Sequence, residues 1–247
     1  MKKIVLSLLL LAILPLQLCA KTDIYVVTVG VNRYQGLPDA TLRYCKQDAL
    51  EFSGVMRRYT THITTLCDEQ ATRRNVYNAI RNQFAQADAD DMVVFFYSGH
   101  GSQSGFCCYD IDNTGTGLSF KDMQTLFKGC KARNKVVYAD SCYSGKLRTK
   151  KTRTTGANVG KNNPVMFFLS SRSNETSQEF PKGENGLFTY FLVKGLCGSA
   201  DANGDKVVTA KEIYNYVHYQ VIRESYDRQH PVMWGKFNND MIVADWR

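Results

Sequence analysis

Residues 92–101 read MVVFFYSGHG, an apolar run that ends abruptly in a polar turn containing His100. Six consecutive apolar or aromatic residues are typical of a strand that is buried on both faces of a sheet. The small residues Ser98, Gly99 and Gly101 flank the histidine and permit a tight turn directly after the strand. This stretch predicts a buried strand of an α/β sheet that carries an imidazole at its carboxyl end.

A second stretch, residues 135–145, repeats this plan with a cysteine in place of the histidine. It reads KVVYADSCYSG, and Cys142 lies in the polar turn after the apolar run. The carboxyl ends of parallel strands lie at one edge of a sheet, where ligands bind. An imidazole is the natural base for converting a thiol to the reactive thiolate. The two stretches together predict a catalytic pair of His100 and Cys142.

The rest of the chain alternates between short apolar runs and segments with helical periodicity. Further strands are predicted at residues 24–29, 62–66 and 164–169. Helices are predicted at residues 40–59, 72–87, 120–127, 187–196 and 210–224. Strands that alternate with helices form a mainly parallel sheet covered on both faces, so the predicted fold class is α/β.

The first twenty residues have the pattern of a secretory signal peptide. Two lysines at positions 2 and 3 precede an apolar stretch at residues 4–14 and the small residue Ala20. The stretch is shorter than the ~20 residues of a membrane-spanning helix, and no later segment has that length and apolar character. We expect cleavage after Ala20, export to the periplasm or the extracellular space, and one domain at residues 21–247.

Seven cysteines remain after this segment, and an odd number predicts at least one free thiol in an oxidising compartment. If Cys142 is the working thiolate, the other six can form up to three disulfides in any pairing. Alternatively, several are buried as small apolar side chains. An eighth cysteine, Cys19, lies beside the expected cleavage site and leaves open the alternative of a lipoprotein.

The formal net charge of the chain is +8, and six of its lysines and arginines fall within residues 146–163. A basic run of this kind can bind nucleic acid. No interleaved aromatic residues or nucleic-acid motif accompany it, so no nucleic-acid partner is expected. With hardly any apolar residues, the segment is expected to be an exposed loop.

The residues around the predicted pair resemble the two motifs of the caspase/metacaspase family. The matching segments are Tyr97-Ser98-Gly99-His100-Gly101 and Asp140-Ser141-Cys142-Tyr143-Ser144-Gly145. Similar segments extend over nearly the whole chain after the signal peptide. They include residues 30–32, 45–49, 170–179 and 186–190.

This resemblance implies a three-layer fold with about six mainly parallel strands. It divides the domain into a large segment at about residues 21–145, the basic loop at 146–163 and a small segment at 164–247. It also implies that Cys142 attacks the scissile carbonyl while His100 transfers protons. Backbone N–H groups of Gly101 and Cys142 would form the oxyanion hole, and no cofactor is required for this chemistry.

Resemblance to metacaspases implies in addition an S1 pocket for a substrate Arg or Lys. The residues at its positions are Cys45, Asp48, Ser98 and Asp140. Two carboxylates favour a basic side chain, and they favour Arg because a guanidinium pairs with them bidentately. Two alternatives stay open: Asp48 only caps its helix or pairs with Arg43, or Arg43 turns the preference toward an acidic substrate residue.

A pocket of that kind would recognise residues in the basic loop of its own chain. In the family, the region between the two segments is cut in many members. We therefore expect self-cleavage after one or more of Arg148, Lys150, Lys151 and Arg153.

Residues 201–212 read DANGDKVVTAKE and match the EF-hand loop between two predicted helices. Lys206 replaces the glycine that is usual at the sharp turn. The loop predicts either calcium binding or a plain helix connection whose polar residues act as caps. The residues at the ligand positions are Asp201, Asn203, Asp205, Thr209 and Glu212.

Taken together, these features predict an exported cysteine endopeptidase that cleaves proteins or peptides after Arg or Lys. One alternative is a catalytically silent caspase-like module that binds partners or calcium. Another is a clostripain-like peptidase that shares the His–Cys pair but not the pocket. The presence of both His100 and Cys142 argues against the silent module.

Overall fold

A computed structural model describes residues 22–102, 104–111, 117–141, 165–172 and 174–247. The strands in it are β1 Ile24–Gly30, β2 Ile63–Cys67, β3 Met92–Ser98, β4 Gly105–Phe106, β5 Leu118–Ser119, β6 Asn134–Asp140, β7 Met166–Leu169, β8 Glu179–Phe180, β9 Asn185–Gly186, β10 Val207–Thr209, β11 Val232–Gly235 and β12 Ile242–Asp245. The α-helices are α1 Cys45–Met56, α2 Arg73–Phe84, α3 Phe120–Gly129, α4 Leu187–Lys194 and α5 Ala210–Glu224.

Six of these strands form the central sheet, in the order β11-β7-β6-β3-β1-β2. The first five strands along the chain in this sheet pair in parallel, and only β11 runs antiparallel, against β7. The remaining short strands form three two-stranded ladders outside it. The predicted sheet of about six mainly parallel strands is confirmed.

The helices cover the sheet in two layers because successive strand residues point to opposite faces. Val27 and Phe95 pack on one side in a core with α2 and α3. Their neighbours Val26 and Phe96 pack on the other side with α1, α4 and α5, where Phe52 stacks on Phe96 at 4.4 Å. The continuous apolar runs of β1 and β3 therefore have two buried faces, as the sequence predicts.

The register of the central strands builds a straight row of residues at the carboxyl edge. Gly30 pairs with Ser98, and Ser98 pairs with Asp140. Gly30 allows α1 to approach this edge closely, because a Cβ there would lie 2.2 Å from the Cys45 carbonyl oxygen. The row and the start of α1 together bring the predicted site residues to one place.

The short strands outside the central sheet were not predicted, and two features of the sheet and its helices also differ from the sequence predictions. Helix α1 begins at Cys45 rather than at residue 40. The residues before it form a loop held by Asn32, whose main-chain carbonyl accepts from Leu42 N–H and whose side-chain amide donates to the Arg43 carbonyl. The edge strand β11 was not predicted, since its four residues are only half-buried or exposed and carry a weak apolar signal.

Several predicted segments lie outside the described residues: the signal peptide at 1–20, the basic loop at 146–163 and Cys142 itself. Within the described ranges, no helix is both long and apolar enough to cross a bilayer.

Candidate active site

The two polar turns predicted to form the site follow neighbouring strands of the sheet. Strand β3 ends at Ser98 and β6 ends at Asp140, which is its register partner. The turn after β3 is bonded to the end of β6, because Gly99 N–H donates to the Asp140 carbonyl oxygen at 3.2 Å. His100 follows directly in this turn, and Cys142 is the second residue after Asp140 along the chain.

The imidazole of His100 is oriented by a main-chain carbonyl. Its Nε2 lies 2.9 Å from the carbonyl oxygen of Ala40, in the loop before α1. A carbonyl oxygen only accepts hydrogen bonds, so Nε2 carries a proton and donates it. In the neutral ring the lone pair is then on Nδ1. The contact selects the tautomer in which Nδ1 can act as a general base.

Asp48 from α1 lies beside the end of β3 and is only 1% exposed. Its Oδ2 accepts a hydrogen bond from the Ser98 hydroxyl at 2.6 Å. Its Oδ1 accepts from the Asn185 side-chain amide and from Gly186 N–H, both at 3.0 Å. Three donors fix this carboxylate, and none of them carries a charge.

Asp140 brings a second carboxylate to the same place, and it too is buried. Its Oδ2 accepts from the backbone N–H and the hydroxyl of Thr189, at 3.1 and 2.9 Å. A cavity lies over the two carboxylates, and none of the described residues that line it is a lysine or an arginine. The carboxylate pair therefore has no positive partner within the described part of the chain.

Burial and mutual repulsion shift the proton affinity of this pair. Burial, together with the nearby Asp140 carboxylate, raises the pKa of Asp48 to about 8. Burial also raises the pKa of Asp140, although hydrogen bonds from Thr189 oppose the shift. The pair therefore retains a proton near neutral pH, and a bound guanidinium or ammonium group would favour its ionisation.

Gly186 lies against both carboxylates. A Cβ at this position would lie 2.2 Å from Asp140 Oδ2 and 3.2 Å from Asp48 Oδ2. Any larger residue would therefore fill the space between the acids. The Oδ2 atoms of both acids therefore lie on the same side of Gly186 and close to each other.

The model of the caspase-domain family (Peptidase_C14) matches residues 25–241 of the chain. This range includes His100 and both carboxylates. The chain belongs to this family. Among curated proteins, the caspase-type domain is 28% identical over 158 residues to Metacaspase-4 of Arabidopsis thaliana. That match covers 55% of this chain but only 37% of the length of the plant protein.

Among solved structures, the crystal structure of protein GSU0716 from Geobacter sulfurreducens superimposes with a TM-score of 0.63. The match covers 88% of this chain and 95% of that one, at 19% sequence identity. At this identity the likeness concerns the fold, and it agrees with a caspase-type arrangement of sheet and helices.

The sequence placed Cys45, Asp48, Ser98 and Asp140 in one pocket of the caspase-type domain, and all four line the same cavity as His100. Burial, and then the neighbouring Asp48, raise the pKa of the Cys45 thiol well above its usual range. The thiol of Cys45 therefore stays protonated, and it lines the pocket as an uncharged side chain.

Arg43, the residue that left the substrate preference open, is exposed and is not among the described residues of the lining. Its backbone N–H donates to the Glu179 carboxylate at 2.7 Å, and no ion pair joins it to Asp48 within the described residues. Helix α1 has no side-chain cap, and Asp48 accepts its hydrogen bonds from residues outside that helix, so it does not cap it.

Sequence reasoning missed the residues that complete the pocket from the small segment. Asn185, Gly186 and Thr189 contact the two carboxylates directly, and Glu179 lies at the rim. Thr189 is a fully buried polar residue in the helix LFTYFLVK, whose residues before the terminal lysine are otherwise apolar or aromatic. This polar residue among apolar ones was the signal in the sequence that could have indicated a role in the site. Nothing in the sequence indicated which carboxylate it would contact.

The EF-hand-like loop makes a sharp turn despite its lysine. Lys206 adopts a left-handed φ of 66°, and Asp201 Oδ2 accepts its N–H at 3.0 Å. The other oxygen, Asp201 Oδ1, accepts Gly204 N–H at 2.8 Å. Thr209 and Glu212 form a reciprocal capping box at the start of α5.

The remaining ligand positions, Asn203 and Asp205, accept the N–H groups of Asp205 and Val207. Among the described residues, no group of three or more His, Cys, Asp or Glu side chains is arranged to hold a metal. The side-chain contacts are those of a capped helix connection, and calcium binding by this loop stays a prediction.

The cysteines of the described ranges are unpaired: none of Cys45, Cys67, Cys107, Cys108, Cys130 and Cys197 forms a disulfide. Four of them are buried, one is half-buried, and only Cys197 is exposed. This agrees with the alternative in which several cysteines serve as small apolar side chains.

Proposed function

We propose that the protein is an exported cysteine endopeptidase that cleaves peptide bonds after Arg and, less well, after Lys. The observation that carries this proposal is the shared edge of β3 and β6. There His100, with Nδ1 free to act as a base, lies in one cavity with the buried pair Asp48 and Asp140. Family membership supports the peptidase chemistry.

Cys142 is the proposed nucleophile because it is the second residue after β6 along the chain, and the end of β6 is bonded to the turn that carries His100. The thiol of Cys45, which lines the cavity, is buried next to Asp48 and has a raised pKa, so it stays protonated. A thiol near its unperturbed pKa of ~8.5 needs a base at neutral pH, and the Nδ1 lone pair supplies one.

In the proposed mechanism, His100 Nδ1 takes the thiol proton and the thiolate attacks the scissile carbonyl carbon. Backbone N–H groups of Gly101 and Cys142 stabilise the resulting oxyanion. The C–N bond then breaks as the imidazolium gives its proton to the leaving amine. Water, deprotonated by the same imidazole, hydrolyses the thioester and restores the thiol.

Specificity for basic residues follows from the charge of the pocket. A substrate Arg can bond both carboxylates through its planar fork, whereas Lys offers a single point charge. A substrate Asp would add a third carboxylate beside Asp48 and Asp140, which is unfavourable in a buried site. The expected partners are therefore proteins or peptides with Arg or Lys at P1.

Export, self-processing and calcium binding complete the proposal and rest on sequence. The signal-peptide pattern of residues 1–20 supports export, with lipidation at Cys19 as the alternative. The basic loop supports self-cleavage after Arg148, Lys150, Lys151 or Arg153. The EF-hand-like sequence at residues 201–212 supports a calcium site that the peptidase chemistry does not need.

A panel of peptide reporters that differ only at P1, with Arg, Lys or Asp, tests this function. The purified protein should cleave the Arg reporter fastest, the Lys reporter more slowly and the Asp reporter not at all. The matched control is Cys142→Ala, which should cleave none. Cleavage of the Asp reporter would contradict the pocket assignment, and a wild type that cleaves nothing would favour the silent binding module.

A further inference from the structure

The backbone of His100 is held by two buried tyrosines, which are only 3% and 1% exposed. The hydroxyl of Tyr34 accepts the His100 N–H at 2.7 Å. The hydroxyl of Tyr97 lies 2.7 Å from the carbonyl oxygens of both His100 and Cys107, which share its single proton. The main-chain N–H and C=O of His100 thus each lie within hydrogen-bond distance of a buried phenol.

The turn at Gly99, which packs against both tyrosines, has no space for a side chain. A Cβ at Gly99 would lie 2.4 Å from the Tyr97 hydroxyl oxygen and 2.9 Å from that of Tyr34. The Tyr34 ring also packs against the imidazole, with ring centroids 5.2 Å apart. The two hydroxyls and the Tyr34 ring therefore restrict both the backbone and the side chain of His100.

The loop that carries Tyr34 also carries the carbonyl that orients the imidazole. Leu37 N–H donates to the Tyr34 carbonyl, and Ala40 N–H donates to the Leu37 carbonyl. These two turns lead from Tyr34 to Ala40, whose own carbonyl lies 2.9 Å from His100 Nε2. One short loop thus contacts His100 at its backbone and at its ring.

We propose that Tyr34 and Tyr97 are positioning residues, a tyrosine clamp that keeps His100 in the orientation that activates Cys142. The inference rests on the proposed function, since it assigns a role in the chemistry of the same site. Each hydroxyl acts through the main chain of His100. Loss of either would loosen the imidazole and weaken its pairing with the thiolate, while the aromatic packing of the ring would remain.

The test is the pH dependence of Cys142 alkylation by iodoacetamide, followed at that residue by peptide mass spectrometry. Alkylation reports the thiolate without any need for a peptide substrate. Near pH ~6 the rate should fall roughly two- to tenfold in Tyr34→Phe and in Tyr97→Phe, the range of a single hydrogen bond. Well above the unperturbed thiol pKa of ~8.5 the rates should converge with wild type, because the thiol ionises unaided.

The control is Tyr219→Phe, which removes a phenolic hydroxyl from a side chain that is 63% exposed and should leave the profile unchanged. Unchanged profiles in both clamp variants would overturn the proposal. An equal loss at every pH, or a loss matched by thermal unfolding, would also overturn it, because it would indicate general damage. A wild type whose Cys142 titrates like an ordinary thiol would instead contradict the His100–Cys142 pair itself.

Discussion

The carboxylates of Asp48 and Asp140 both approach the side of Gly186 that a Cβ would occupy. They are buried, and their cavity has no lysine or arginine among its described residues. Buried carboxylates are stable when they are paired or protonated. Neutral donors and a retained proton stabilise this pair in the free protein. In the proposed function a substrate cation would replace that proton, so the charge of the pocket would favour a basic P1 residue.

Removal of one charge from the pair should damage the cleavage of Arg substrates. Asp140→Asn should lower kcat/KM for an Arg reporter at least roughly thirtyfold, since loss of one partner of a buried charge pair costs ~2 kcal/mol or more. Asp240→Asn is the matched control, because that side chain is exposed and distant along the chain. Undiminished cleavage by the Asp140 variant would show that the substrate side chain binds elsewhere.

A single methyl group should close the pocket. The Cβ of Gly186→Ala would lie 2.2 Å from Asp140 Oδ2, so the variant should lose most of its activity toward Arg reporters. Gly54→Ala adds the same group in α1 with no atom within 4 Å, and it should keep full activity. Steady-state kinetics and thermal melting of both variants make the comparison. Wild-type kinetics in Gly186→Ala would exclude this cavity as S1.

The raised pKa of Asp48 predicts how stability depends on pH. Its pKa is about 8 in the folded protein, against ~3.9 in an unfolded chain, so between these values the folded state holds the extra proton. The free energy of unfolding should therefore fall as pH rises from about 5 to about 8, by at most ~1.4 kcal/mol per pH unit from this group.

Asp48→Asn provides the comparison, because an amide cannot titrate. Its free energy of unfolding, measured by denaturant titration across the same pH range, should vary less steeply than that of wild type. Parallel curves for the two proteins would show that Asp48 is ionised throughout and that burial does not control its protonation.

The core of the fold could be predicted because its signals are local and strong. The centres of β1, β3 and β6 are largely apolar runs that are buried on both faces, and such runs are typical of a strand covered on two sides. The start of α1 was placed too early, since the bonds from Asn32 that hold the preceding loop are tertiary. Strand β11 was missed because an edge strand needs less apolar surface.

The candidate site was predictable to the extent that strand ends determine it. His100 and Asp140 follow buried runs, and the parallel register brings those ends together. The part contributed by Asn185, Gly186 and Thr189 depends on how the small segment folds back over the sheet. No local pattern encodes that approach, so those contacts required the three-dimensional structure.

Self-processing should cut the basic loop at residues 146–163. Wild type incubated alone should acquire new N-termini after one or more of Arg148, Lys150, Lys151 and Arg153, and Cys142→Ala should stay intact. The fragments should remain associated, because strands β6 and β7 on either side of the loop are hydrogen-bonded neighbours in the central sheet. Mass spectrometry and size-exclusion chromatography report both results. Cleavage of the Cys142→Ala protein, when it is incubated without wild type, would implicate another protease.

The central claim is that His100 activates Cys142 in a pocket for basic residues. The most direct test is covalent labelling with a thiol-reactive inhibitor that carries Arg at P1, with the modified residue located by mass spectrometry. Wild type should be labelled at Cys142 alone, and labelling should be lost in Cys142→Ala and fall severely in His100→Ala. Labelling of a different cysteine, or equal labelling of Cys142 without His100, would contradict the claim.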